Sequence, residues 1–402
     1  MSYIAPAGTP LGLADLAAGL HAGLFRDDAD ALAAKLACMT ATARCWLTVS
    51  GRAAITTALR AMRGSADEER VEVVVPGYTC YSVAAAVVRA GLRPRVCDID
   101  PETLDYDGNA LRELDTTRVL AIASSNLYGI PNDLTALERY AAKRDIYLID
   151  DAAQALGATF AGRPVGGFGE AGILSFEKGK NITTMEGGAI VTRNGMLAQR
   201  LDAAHAALPK SSAASAVRAW LKLPVYAAFF RPSLYGLICR LPFLGLGKTV
   251  YDPTFELARY PRALAGLALH LSGRLEALSG RRNANAADMR TALEDLPGVK
   301  LVRPHPLAAP AYTRLPCLLE APAHRARILA ALDRAGIGAS ASYPRALCDV
   351  PEVRAVLPPS DRELSGARFV AASILTLPIH PLCPANLAER VRDIIQRELS
   401  RG

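Results

Sequence analysis

The sequence predicts an α/β protein with a large domain on a mostly parallel sheet, helices on both of its faces, and a smaller α+β domain after it. Three observations predict this. Between about residues 50 and 195, short apolar runs bounded by Pro, Gly or Asp alternate with amphipathic stretches of helical period, which is the pattern of strand–helix–strand units. A Pro-rich, aromatic and apolar stretch over 206–257 then breaks that rhythm, and a differently patterned block closes the chain. Finally, 402 residues exceed what a single ordinary core supports.

Taken in order, buried strands are expected at 71–75, 95–99, 119–123, 146–149, 172–176 and 188–192. Helices are expected between them at 53–62, 82–90 and 134–143. Strand–helix alternation implies parallel pairing covered on both faces. A helical stretch near 263–282 leads to the second block, where 323–335 reads as a helix stopped by Gly336 and 387–399 as a closing amphipathic helix. The expected division is 1–258, with the apolar insertion 206–257, and 259–402. Sheets of this type bind ligands beyond the carboxyl ends of their strands. Polar or small residues stand at those ends: Pro76–Cys80, Ser124–Asn126, Asp150–Asp151 and Glu177–Asn181.

Composition narrows the function. Half the residues are hydrophobic and 21% are charged, with a net charge of +7 carried mainly by Arg. No basic run is long or interleaved with aromatics, so the charge suits an anionic small molecule or surface and not nucleic acid. Eight cysteines stand singly without a C-x-x-C, and six histidines are isolated, so neither zinc nor a disulfide framework is expected. No signal-peptide pattern opens the chain, and a reduced cytoplasmic protein is the expectation.

Several familiar motifs fail on context. Gly167-Phe-Gly169-Glu-Ala-Gly172 has the G-x-G-x-x-G spacing but precedes a strand, whereas dinucleotide binding needs a strand before it and a helix after it. Gly247-Lys248-Thr249 resembles the end of a P-loop, yet the earlier glycine position is Pro242, and no G-x-S-x-G elbow exists. What remains is a spaced set: Ser50-Gly51-Arg52-Ala53, Asp151-Ala-Ala-Gln154, Ser175 and Lys180-Asn181. A hydroxyl and glycine opening a helix suit a phosphate. A carboxylate ending a buried strand calls for a cationic partner. An amine after another apolar strand can lose solvation and act as nucleophile and base.

Together with Val75-Pro-Gly-Tyr-Thr79, Asn126-Leu-Tyr-Gly129, Gly162-Arg-Pro-Val-Gly166, Glu186-Gly-Gly-Ala-Ile190, Tyr343-Pro344 and Leu377-Pro-Ile-His-Pro381, these residues resemble the DegT/DnrJ/StrS family of pyridoxal 5′-phosphate (PLP) dependent aminotransferases. The resemblance implies fold type I, as in aspartate aminotransferase, and a homodimer with active sites completed by the partner, through 183–186 and 260–262. It makes Lys180 the Schiff-base lysine, Asp151 the partner of the pyridinium nitrogen, Gln154 a neighbour of the ring, and Ser175 with Gly51, Arg52 and Ala53 the phosphate site. Arg52 stands where the family commonly has Thr. Cys80 takes the place of the ring-stacking aromatic, for which Tyr78 or Tyr81 is the substitute. The implied reaction moves an amino group from an amino-acid donor, glutamate first, to a keto group of a sugar-like acceptor. A lipid-linked carbonyl acceptor and a non-catalytic PLP-binding protein are the alternatives. For 217–250, whose prolines and short apolar runs exclude a spanning helix, packing on a partner or over the active site stands against contact with a membrane surface. In the membrane reading Trp220, Tyr226, Phe229, Phe230, Tyr235 and Phe243 are the residues at headgroup depth.

Overall fold

In a computed structural model the chain is described over residues 3–64, 66–238 and 250–401. Its centre is a seven-stranded sheet in the order β1-β9-β8-β5-β4-β2-β3. The strands are β1 (Arg44–Thr48), β2 (Glu72–Pro76), β3 (Arg93–Cys97), β4 (Val119–Ala123), β5 (Tyr147–Asp151), β8 (Ala171–Ser175) and β9 (Gly188–Thr192). The pairs β3/β2, β2/β4, β4/β5 and β5/β8 are parallel. The pairs β8/β9 and β9/β1, at one end, are antiparallel. Val73–Val75, all of β4 and all of β8 are buried, as continuous apolar strands covered on both faces must be.

The covering helices start where side chains can cap them. Ser50 Oγ accepts the Ala53 amide at 3.2 Å to open α3 (Gly51–Arg63), and Asp133 does the same for α6 (Leu134–Arg144). Beside them lie α1 (Leu13–Phe25), α2 (Ala29–Met39), α4 (Tyr81–Arg89), α5 (Gly108–Glu113) and α7 (Gly195–Ala206). Three two-residue strands, β6 (Thr159–Phe160), β7 (Arg163–Pro164) and β11 (Ala308–Ala309), make a small separate sheet. The insertion holds α8 (Ala213–Phe229), with Pro224 inside it, and α9 (Pro232–Ile238). After α10 (Ala265–Ser272) the long α11 (Leu275–Leu293) leads to a three-stranded antiparallel sheet of β10 (Val299–Leu301), β12 (Leu315–Leu319) and β13 (Ile374–Leu377). With it go α12 (Arg325–Arg334), α13 (Pro351–Arg354), α14 (Ser365–Ser373) and α15 (Leu387–Leu399).

The expected strands and most expected helices are present with ends shifted by one or two residues, and 119–123, 188–192 and 387–399 coincide with β4, β9 and α15; the helical stretch expected near 263–282 is instead two helices, α10 and α11, the second running on to Leu293. Residues before 50 also hold α1, α2 and β1; β1 begins exposed at Arg44 and is buried only from Trp46, too short a run to read as a strand. The expected boundary at 258/259 separates α10 from the helices it packs on. Helix α10 packs on α1 and α2 in the large domain, so closely that a Cβ on Gly266 would lie 2.2 Å from Ala22 Cβ. An N-terminal strap also ties the domains together, with the Ile4 amide donating to the Gly336 carbonyl at 2.8 Å.

Candidate active site

The two carboxylates at the end of β5 part company because successive strand residues face opposite sides of a sheet. Asp150 points into the protein. Its Oδ2 accepts the Gly166 and Phe168 amides at 2.5 and 3.3 Å, and its Oδ1 accepts Asn126 Nδ2 at 2.8 Å and Ser124 Oγ at 3.3 Å. Burial pushes its pKa up to about 6, and these bonds restrain the rise. Asp151 faces the strand-end cleft. Its Oδ1 accepts the Ala153 amide at 3.0 Å, and its Oδ2 takes no hydrogen bond from any described residue. Burial raises its pKa as well, against the pull of the Ala153 amide and the positive charge of Lys180. A buried carboxylate with an unengaged oxygen suits a bound cation such as a protonated ring nitrogen.

Lys180 sits in the turn that leaves β8, where its amide donates to the Glu177 carbonyl at 3.3 Å. The strap holds this turn from behind. Thr9, fully buried, has its Oγ1 at 2.8 Å from the Lys180 carbonyl and 3.0 Å from that of Asn181. Arg282 of α11, 1% exposed, donates to Thr9 Oγ1 at 2.6 Å and to the Asn181 carbonyl at 3.2 Å. Burial lowers its pKa to about 10. The neighbouring Lys178 is exposed.

Across the cleft is the N-terminus of α3. Ser50 caps the Ala53 amide and its carbonyl accepts the Ala54 amide, so the amides of Gly51 and Arg52 have no intrahelical acceptor. A Cβ on Gly51 would lie 3.2 Å from Ser175 Cβ, and one on Gly188 would lie 2.5 Å from the Gly51 nitrogen. Glycine at both positions brings the helix end against Ser175, a cradle of amides and a hydroxyl fit for a phosphate. Arg52 turns away from it. Its guanidinium stacks on Phe255 at 4.8 Å and lies 3.9 Å from Asp252. It lines a polar cavity of about 440 Å³ with Ser50, Lys178, Glu186 and Arg218. Of Arg52, only the main chain belongs to the cradle.

Gln154 accepts the Tyr128 amide at 3.3 Å and donates to Tyr343 Oη at 3.2 Å. Tyr343 joins Tyr78 and Tyr81, with ring centroids 5.6 and 6.0 Å away, and the Tyr78 and Tyr128 hydroxyls are 3.4 Å apart. Cys80 stands just before the first turn of α4, without a side-chain capping bond, and its Sγ accepts Ser82 Oγ at 2.9 Å. The Tyr78 hydroxyl accepts the Tyr343 amide and that of Tyr81 accepts the Arg345 amide, so both rings are held by the small domain. Reading strand ends alone missed Thr9, Arg282 and Tyr343, because each arrives from a distant segment. Of the residues expected to cross to a partner, Tyr260 is buried within this chain, its hydroxyl 2.8 Å from Thr184 Oγ1, and Arg262 is paired at the surface with Asp27 at 2.9 Å.

Known proteins resemble the chain in sequence and in fold. The chain is 39% identical over 160 residues to the L-glutamine:2-deoxy-scyllo-inosose aminotransferase of Streptomyces kanamyceticus, a match covering 40% of this chain and 37% of that protein. It is 29% identical over 367 residues to the erythromycin biosynthesis sensory transduction protein EryC1 of Saccharopolyspora erythraea, covering 90% and 87%. Among solved structures, DesV of S. venezuelae in complex with a ketimine intermediate aligns with a TM-score of 0.75 at 25% identity, covering 96% of this chain and 94% of that one. PseC of Helicobacter pylori aligns with a TM-score of 0.80 at 18% identity, covering both chains fully. The fold is fold type I of the PLP-dependent transferases. The DegT/DnrJ/EryC1/StrS aminotransferase family model matches residues 23–216 and 262–396 and passes over the stretch between them. Matched on both sides of that gap and over most of its length, the chain belongs to the DegT/DnrJ/EryC1/StrS aminotransferase family.

Proposed function

We propose that the protein is a PLP-dependent aminotransferase that moves an amino group from an amino acid to a keto group on a sugar or cyclitol acceptor, working as a homodimer in the cytoplasm. The observation that carries this reading is Asp151, buried with one oxygen unengaged, facing the charge of Lys180 on the same sheet edge as the Gly51–Ser175 cradle. When bound, the cofactor supplies a carbonyl that condenses with amines and a ring that takes up the electrons left when a substrate Cα proton departs. The chain does the rest. The Gly51 and Arg52 amides and the Ser175 hydroxyl hold the phosphate. Asp151 keeps the ring nitrogen protonated. Lys180 carries the cofactor and, once free, moves the proton as general base and acid.

Several curated relatives' names point to glutamine as donor and to inososes as acceptors, which favours a ring ketone over a lipid-linked carbonyl. Donor and acceptor are read with a panel. The yellow holoprotein is incubated with glutamine or glutamate, then with keto-inositols and nucleotide-linked keto-sugars, and the aminated product is followed by mass. Borohydride reduction should fix the cofactor to the peptide carrying Lys180. Lys180→Ala should abolish turnover. Labelling at Lys178, or turnover surviving in the Lys180→Ala variant, would refute the assignment.

A further inference from the structure

The part of the chain that the family model passes over builds, together with α1, a surface that the proposed transamination does not use. Helix α8 has three longitudinal stripes. Ser215, Ala219, Leu223 and Ala227 are buried against the large domain. Val217, Leu221 and Val225, four residues apart and so on one face, are 54–69% exposed. Arg218 and Lys222 run beside them, also exposed. Alongside lies α1, whose outward residues include Leu13, Leu24 and Phe25, 67–78% exposed. Between the two helices is a groove of about 450 Å³ floored by Trp220, whose indole nitrogen donates to the Ala263 carbonyl at 3.3 Å. Its lining is apolar throughout, from Leu16, Leu20 and Leu24 on one side to Val217, Leu221 and Pro224 on the other.

We infer that this α1–α8 face docks peripherally on an anionic lipid surface, with the exposed apolar stripes entering the headgroup boundary. Charge selects this occupant. From residue 203 to 238 the sequence has four cations (Lys210, Arg218, Lys222 and Arg231) and no Asp or Glu. Lys222 reaches Glu186 at 3.5 Å yet remains half exposed. A two-fold contact between copies would set cations of one α8 near those of the other. Negatively charged lipid accepts the basic stripe and the apolar stripe at once, as amphipathic helices do at interfaces. No helix among the described residues is long and apolar enough to cross a membrane, so the contact is with the surface. Of the aromatic residues expected at headgroup depth, Tyr226 is hydrogen-bonded to Thr9, Phe230 is buried against His380, and Phe243 lies outside the described residues. Aliphatic residues carry the contact.

The test is co-sedimentation of the full holoprotein with vesicles of phosphatidylglycerol and phosphatidylethanolamine, against vesicles of phosphatidylcholine, at low and high salt. The expected result is binding to the anionic vesicles that falls as salt rises. Leu221→Ser/Val225→Ser should weaken that binding at least about tenfold, since each removes apolar area from the interface. The same variant should keep the wild-type molar mass in light scattering and the wild-type cofactor absorbance, which separates this inference from the catalytic one. No binding to anionic vesicles at low salt would overturn it. So would loss of oligomer mass in the variant with vesicle binding unchanged, which would assign the face to a contact between copies.

Discussion

The strand-end cleft and the α1–α8 face are built on opposite terms. Around the cleft, polar groups are held by main chain: Asp150 by the Gly166 and Phe168 amides, Thr9 between two carbonyls, Gln154 by the Tyr128 amide. On the α1–α8 face, leucines and valines stand in the open while charges run beside them. Chemistry at a cofactor tolerates little variation in geometry, and the family model matches the cleft. A surface contact needs only hydrophobicity and charge of one sign, and the model passes over 217–261. The same contrast between partnered and unpartnered groups separates Asp150 from Asp151.

That contrast yields the largest expected effect. Asp151→Asn should lower kcat by on the order of 10²–10³-fold, the usual cost of removing one preorganised electrostatic partner of the reacting group, with the urea midpoint almost unchanged. Asp150→Asn should do the reverse. An amide nitrogen facing Gly166 N–H strands buried donors at about 1–3 kcal/mol each, so stability falls while kcat of the folded fraction holds. Finding the two phenotypes exchanged would move the register by one residue and undo the assignment of the cleft.

The cleft was legible in the sequence where a motif and a strand end coincide, as at Asp151, Ser175 and Lys180. Continuous burial of Val119–Ala123 and Gly188–Thr192 made β4 and β9 readable to the residue. Long-range partners were not readable. Thr9 and Arg282 are 171 and 101 residues from the loop they hold, and nothing local marks either. Arg52 could not be placed either, because Phe255 and Asp252, which draw it aside, lie within the stretch that the family model passes over.

Arg282 links the two regions through the strap. It grips Thr9 Oγ1 and the Asn181 carbonyl, while the Thr9 amide donates to the Tyr226 hydroxyl of α8 at 3.1 Å. Arg282→Met keeps the bulk but leaves buried acceptors without donors. Loss of about 2–4 kcal/mol in urea unfolding is expected at roughly 1–3 kcal/mol per stranded group. A loss under 1 kcal/mol would mean that the strap and the Lys180 turn are held by packing and not by this guanidinium.

The smallest effect is a pH dependence where strap, insertion and small domain meet. His380 is fully buried, its ring 4.8 Å from Phe230. Nδ1 accepts the Leu382 amide at 3.3 Å, so Nε2 carries the proton and donates to the Ala5 carbonyl at 3.0 Å. The neutral ring is thus satisfied at both nitrogens, and a second proton would have to displace the Leu382 amide. Burial, with the nearby Arg282 charge acting in the same direction, lowers the pKa to about 4. Because the folded value is depressed, the unfolded chain takes up this proton first, near pH 6.5, and the stability from the neutral ring is lost as pH falls from there toward 4. Asp150, raised to about 6, works in the opposite sense over the same window, so the wild-type curve alone would hide both. The difference between wild type and His380→Gln cancels the Asp150 contribution. That difference should favour wild type at pH 7.5 and shrink by roughly 2–3 kcal/mol by pH 4.5, at about 1.4 kcal/mol per pK unit. A gap that stays constant across the range would show that the imidazole does not stay neutral, and that the strap accommodates a charge at its junction with the insertion.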